Sequence, residues 1–96
     1  MAQVKWTERA IGDLIEIAEY INAESPRYAA LTVTEIYYST ERLLQFPLSG
    51  RMVPEFKSKD VREMIAGNFR IVYSYGDNVC KILTVLHSKR DIQKAF

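Results

Sequence analysis

The stretch VLHSKRD, Val85 to Asp91, holds the only histidine of the chain, three positions before an arginine. An imidazole of pKa about 6.5 can give or take a proton near neutrality, and a guanidinium can neutralise crowded anionic oxygens. His87 and Arg90 are therefore candidates for acid–base work on a phosphate. The same histidine, at the end of an apolar strand, can instead close that strand by a ring hydrogen bond to backbone or to Asp91, and this structural role is the favoured reading. Arg90 is balanced between an ion pair with Asp91 or Glu63 and a contact with a target or partner. Metal chemistry finds no support: one His and the single Cys80 cannot supply a zinc site, and one cysteine cannot close an internal disulfide. Cys80 reads as a small buried hydrophobe.

These residues must be placed by the elements before them. QVKWT alternates, with Val4 and Trp6 on one side, and predicts a short strand. Thr7 then caps a helix running to about Glu24, whose apolar stripe is Ile11, Leu14, Ile15, Ala18 and Ile21. Ser25 and Pro26 restart the chain as a second helix to about Gln45, facing inward through Ala29, Val33, Ile36, Thr40, Leu43 and Leu44. FPLSGRMVPEFKSKD carries Pro47, Gly50 and Pro54 without periodicity and reads as a long loop. VREMI, FRIVYSY and VCKILTVL then predict three antiparallel strands with turns at Gly67-Asn68 and Gly76-Asp77-Asn78, the last strand central because it is apolar on both faces. The expectation is one α+β domain over residues 1–96, ordered β-α-α-β-β-β, with a helical hairpin on one face of a small, mainly antiparallel sheet. Phe69, Ile71, Tyr73 and Tyr75 should face the helices, leaving Arg70 on an open face where Arg62 and Arg90 can join it.

With 96 residues, 48% hydrophobic and 26% charged, the chain suits an ordinary globular protein with one core and no large internal cavity. No apolar run reaches the roughly 18 residues of a membrane span, so a cytoplasmic location is expected. The formal charge of +1 hides an asymmetry: residues 1–50 carry four bases against seven acids, residues 51–96 nine against five. The second half is the candidate for an anionic partner.

LLQFPLSGR after the second helix, REMIAGNFRIVYSY as a hairpin and ILTVLHSKRDI at the end, in this order, resemble the RelE/ParE superfamily of toxins from type II toxin–antitoxin modules. The resemblance spans nearly the whole chain. It implies a small cytoplasmic toxin without cofactors, held inactive by a cognate antitoxin and reaching DNA only through it. RelE-type members cut mRNA on the ribosome with basic residues and, in many, a tyrosine near the C-terminus; ParE-type members bind and poison DNA gyrase, causing growth arrest and plasmid stabilisation. Arg70 and Arg90 match RelE-type arginines, but the tyrosine position falls on Phe96, whose ring cannot move a proton. A nuclease would have to rely on Arg70, His87 and Arg90. VLHSKRD is similar to the ParE-type ending, so a gyrase inhibitor acting by binding is the favoured expectation. A ribosome-dependent endonuclease and a non-toxic antitoxin-binding or co-repressor module are the alternatives. Arg62, Arg70, Arg90, Lys94 and Phe96 are then target-binding candidates. Ile17, Tyr20 and Arg70 are antitoxin-binding candidates, the antitoxin contributing a helix and an extended segment that can add to a free sheet edge, acidic where it meets the second half.

Overall fold

The computed structural model describes residues 1–89. Arg90, Asp91, Lys94 and Phe96 lie outside them. Strand β1, Gln3–Trp6, leads into helix α1, Glu8–Asn22, and helix α2, Pro26–Glu41; a 3₁₀ turn, Arg42–Leu44, follows. Strands β2, Arg51–Met52, β3, Val61–Ala66, β4, Phe69–Gly76, and β5, Val79–His87, complete a five-stranded sheet of order β1-β5-β4-β3-β2. Only β1 and β5 run parallel; the other pairs are antiparallel. The α+β architecture is as expected, and β5 is interior, paired on both sides, which accounts for its two apolar faces.

Local chemistry fixes each junction. The Thr7 hydroxyl oxygen accepts from the Ala10 amide at 3.1 Å, capping α1, and donates to the Ile82 carbonyl at 2.7 Å. One side chain thus starts the helix and pins it to β5. Ser25 caps α2 through the Tyr28 amide at 3.1 Å, with Pro26 in the first helical position. The β4–β5 turn places Asp77 and Asn78 at φ 52° and 62°, the two positive values that a tight hairpin requires.

The rotation of α1 differs from the expected stripe. Its inward row is Ala10, Leu14 and Ile17, while Ile11 and Ile15 are 46% and 53% exposed. Thr7 provides one reason. Asp13 provides another: its carboxylate accepts the Thr84 hydroxyl and, at 3.1 Å, the Val85 amide. Both donors follow the irregularity in β5 where Val72 pairs with Thr84 and Tyr73 with Ile82, leaving Leu83 unpaired. With Asp13 and Ala10 held against β5, Ile11 and Ile15 turn outward. Helix α2 ends earlier than expected, tightening into the 3₁₀ turn, but its buried row of Ala29, Thr32, Ile36 and Thr40 largely follows the periodicity.

The helices cover one sheet face, where Ile36, Leu43, Met64, Ile71, Tyr73, Cys80, Ile82 and Val85 form the main core. The second face is not open. The long loop, which holds β2, folds across it so that Val53 and Phe56 pack with Val72, Leu83 and Leu86. The start of that loop is held by Tyr73, whose hydroxyl donates to the Pro47 carbonyl and accepts from the Gly50 amide, both at 2.9 Å. Burial pushes the phenol pKa up against the pull of the Gly50 bond, so the hydroxyl stays neutral.

A Cβ on Gly50 would lie 2.6 Å from the Tyr73 hydroxyl and 2.7 Å from the Glu63 carbonyl, contacts only a shift of both strands can relieve. Gly50→Ala should therefore destabilise the protein by about 1–3 kcal/mol in denaturant unfolding; an unchanged midpoint would show that the loop yields freely.

Candidate functional site

Arg70 sits on the second face, but beneath the loop. Only 7% of it is exposed. Its Nε and terminal nitrogen both donate to Glu63 Oε1 at 2.6 Å, and the terminal nitrogen also approaches Glu55 of the loop at 3.5 Å. The other Glu63 oxygen takes Arg51 Nε at 2.6 Å, from β2. Glu63 has no exposed side-chain surface. Strands β4 and β2 therefore converge on one carboxylate, and the loop meets Arg70. Burial works against the Arg70 charge, but the hydrogen bonds and charges of Glu63 and Glu55 together outweigh it and raise the guanidinium pKa above its ordinary value. Arg70 is a fixed cation whose Nε and one terminal nitrogen are engaged by Glu63 and Glu55.

Arg62 does not join it. Opposite Tyr73 in the β3–β4 register, it lies on the other face, and its terminal nitrogen donates to the Gly50 carbonyl at 3.0 Å. The expectation of Arg62 and Arg70 side by side fails because β3 side chains alternate and Arg62 shares its face with Tyr73. Both of those side chains hold the 47–50 segment. Arg90, Lys94 and Phe96, the remaining target-binding candidates, fall outside the described residues.

His87 ends β5, exposed, its Nδ1 accepting from the Lys89 amide at 3.2 Å and its ring edge-on to Phe69 with centroids 5.8 Å apart. Among the described residues no carboxylate is hydrogen-bonded to it. The imidazole lines a groove of about 610 Å³ between α1, the start of α2 and the end of β5. Ile17, Tyr20, Tyr28 and Phe69 supply its apolar surface, with Asp13 and Glu16 along α1. Tyr20 is 84% exposed; Ile17 forms the groove floor and also packs on the core. Cys80 is wholly buried, and burial pushes its thiol pKa up, away from a reactive thiolate. No group of three or more His, Cys, Asp or Glu side chains that can hold a metal ion occurs among the described residues, and no described helix is long and apolar enough to cross a membrane.

Sequence reasoning placed Glu63 only as a possible partner of Arg90 and Tyr73 only in the core, and missed the bonds that each makes. The signal for Glu63 was present: in VREMI it shares the inward side with Val61, and in an antiparallel hairpin turning at Gly67-Asn68 it lies diagonally from Arg70. Two opposite charges on adjacent buried positions require each other.

Removing one partner of this pair leaves the other buried without compensation. Glu63→Ala should cost about 3–5 kcal/mol, whereas Glu63→Leu combined with Arg70→Met should lie within about 1 kcal/mol of wild type. Equal destabilisation by the single and double variants in urea titrations would contradict the pairing.

Comparison with known proteins follows the same outline. Residues 4–92 match the sequence model of a family described as the ParE toxin of type II toxin-antitoxin system, parDE. The chain is similar to the putative toxin Y4kP of Sinorhizobium fredii, 32% identical over 87 residues that cover 90% of this chain and 88% of that one. It is also similar to the toxin RelE2 of Caulobacter vibrioides, 31% identical over 91 residues, covering 94% and 99%. Among solved structures, the fold is shared with a chain of the chromosomal ParDE system from P. aeruginosa, at TM-score 0.77 and 24% identity over 93% of this chain and 98% of that one. It is shared too with a chain of the toxin–antitoxin complex RelBE2 from Mycobacterium tuberculosis, at TM-score 0.60 and 22% identity, covering 90% and 96%.

Proposed function

This chain belongs to the ParE toxin family of type II toxin–antitoxin systems, and on that premise we propose that it arrests growth by binding DNA gyrase, without chemistry of its own, in the cytoplasm, and is neutralised by a cognate antitoxin. The observation that carries this reading is the engagement of Arg70. RNA cleavage at a 2′-hydroxyl needs cations free to meet the crowded phosphate and groups to move protons. Arg70 is covered by the loop, and its Nε and one terminal nitrogen are taken by Glu63 and Glu55. His87 uses a ring nitrogen on the Lys89 amide. Phe96 has no hydroxyl to replace the tyrosine of the nuclease branch, an omission that costs a typical 10²–10⁴ in rate.

A binding inhibitor needs only a rigid platform. Purified toxin is expected to inhibit gyrase supercoiling, His87→Gln to preserve that inhibition, and Phe96→Tyr to create no nuclease. Cleavage of ribosome-bound mRNA by the wild-type chain, with supercoiling unaffected, would replace this reading with that of a RelE-like endonuclease. A chain inert in both assays that still binds its antitoxin would be the co-repressor module.

The groove beside Tyr20 suits an amphipathic antitoxin segment, because an exposed aromatic over an apolar floor is a typical anchor point. Its charged lining is acidic, Asp13 and Glu16. A basic residue in the antitoxin fits there, while the acidic one expected from the charge asymmetry belongs where the antitoxin meets residues 51–96. Tyr20→Ala should weaken antitoxin binding at least tenfold in calorimetry while leaving the melting temperature of the free toxin unchanged; full affinity in that variant would move the antitoxin elsewhere.

A further inference from the structure

The segment that follows α2 is pinned at its backbone and yet turns apolar side chains outward. Tyr73 fixes it through the Pro47 carbonyl and the Gly50 amide, and Arg62 through the Gly50 carbonyl. Phe46 and Leu48 nevertheless stand 60% and 52% exposed. They share a concavity of about 560 Å³ with Arg42, and no described acid lines it. Arg42 is exposed and has no carboxylate partner among the described residues. The result is an apolar, cationic projection whose backbone is already ordered, so little conformational freedom is lost when it docks. The groove beside Tyr20 has the inverse chemistry. Ile17, Tyr28 and Phe69 make it apolar, its acids are Asp13 and Glu16, and no described Lys or Arg lines it. Projection and groove stand at opposite ends of α2. Tyr28 borders the groove and Arg42 follows the last turn, a separation of about 20 Å at 1.5 Å of rise per residue. A pinned projection cannot cross that distance to its own groove.

We propose that the free toxin binds a second copy of itself head to tail, with Phe46 and Leu48 of one copy seated in the groove of the next and Arg42 meeting Glu16 there. The two surfaces differ, so the contact is heterologous, and each copy carries one surface of each kind. Charge selects this pairing over two like ends, because groove against groove would oppose acids and projection against projection would oppose arginines. The acids of the groove likewise repel a nucleic-acid backbone. The proposal stands whether or not an antitoxin takes the same groove, and it is independent of the target on which the toxin acts.

The test is sedimentation velocity on the full chain without antitoxin, over a wide range of concentration. The wild type should gain mass above that of one chain as concentration rises. Phe46→Ser and Tyr20→Ala should each remain monomeric where the wild type associates. An equal mixture of these two variants should form a two-chain species, because the intact groove of the first accepts the intact projection of the second. Arg42→Glu and Glu16→Arg should each weaken association at least tenfold, and the two together in one chain should restore it. If Phe46→Ser or Tyr20→Ala loses its far-ultraviolet circular dichroism, the charge-reversal pair decides alone. A wild type that stays monomeric, a Phe46→Ser or Tyr20→Ala variant that associates like wild type, a mixture that stays monomeric, or a double charge variant without rescue would overturn the proposal. A monomeric wild type that binds its antitoxin through Tyr20 would give the groove to the antitoxin alone.

Discussion

A carboxylate with no exposed surface, placed between two strands, sets conditions that the rest of the molecule must meet. Glu63 cannot remain charged in that position without cations, because desolvation of a lone carboxylate costs several kcal/mol. Arg70 supplies one cation from β4 and Arg51 the other from β2. Arg70 then needs its own cover, which the loop provides through Glu55 and through Val53 and Phe56 on the neighbouring apolar strand positions. Two acids and two bases leave the network formally neutral. This explains why a loop rich in proline and glycine lies against the sheet, and why β2 forms although it is two residues long.

The other sheet face is governed by side-chain hydrogen bonds. Thr7 and Asp13 fix α1 to β5, and Tyr73 holds the 47–50 segment. Each of these side chains joins residues more than twenty positions apart in sequence, so each restricts a long stretch of chain through one local geometry. With both faces of the sheet covered, what remains for partners is peripheral: the groove beside Tyr20, the helix flanks and the free edge of β3.

Legibility in the sequence follows the range of the interaction concerned. Helix caps, hairpin turns and strand alternation are local, and Thr7, Ser25, Asp77 and Asn78 all act as their types suggest. The face of α1 was misread because Ile11 and Ile15 satisfy the helical period as well as Ala10 and Ile17 do. Only the long-range contacts of Thr7 and Asp13 with β5 choose between them. The cover over Arg70 was invisible for a similar reason: a loop without periodicity carries no local sign of the face on which it lies. Arg62 and Arg70 were placed together because both are strand arginines, although the register set by Gly67 and Asn68 puts them on opposite faces.

The charge asymmetry of the chain gains a different meaning once these bonds are counted. Of the bases in the second half, Arg51 and Arg70 serve Glu63, and Arg62 serves the carbonyl of Gly50. The ion-paired charges of Arg51 and Arg70 are seen at a distance as dipoles, whereas Arg62, bonded to neutral carbonyls, keeps its full charge. The acids of α1 are less engaged: Glu16 lines the groove, and Asp13 alone bonds into the sheet. The two bases and two acids of the Glu63 network cancel within the second half, so its positive excess rests on its other basic residues. What a partner meets is set by which charges the core engages: at the sheet it engages two bases with two acids, while α1 presents Asp13 and Glu16 beside the aromatic groove.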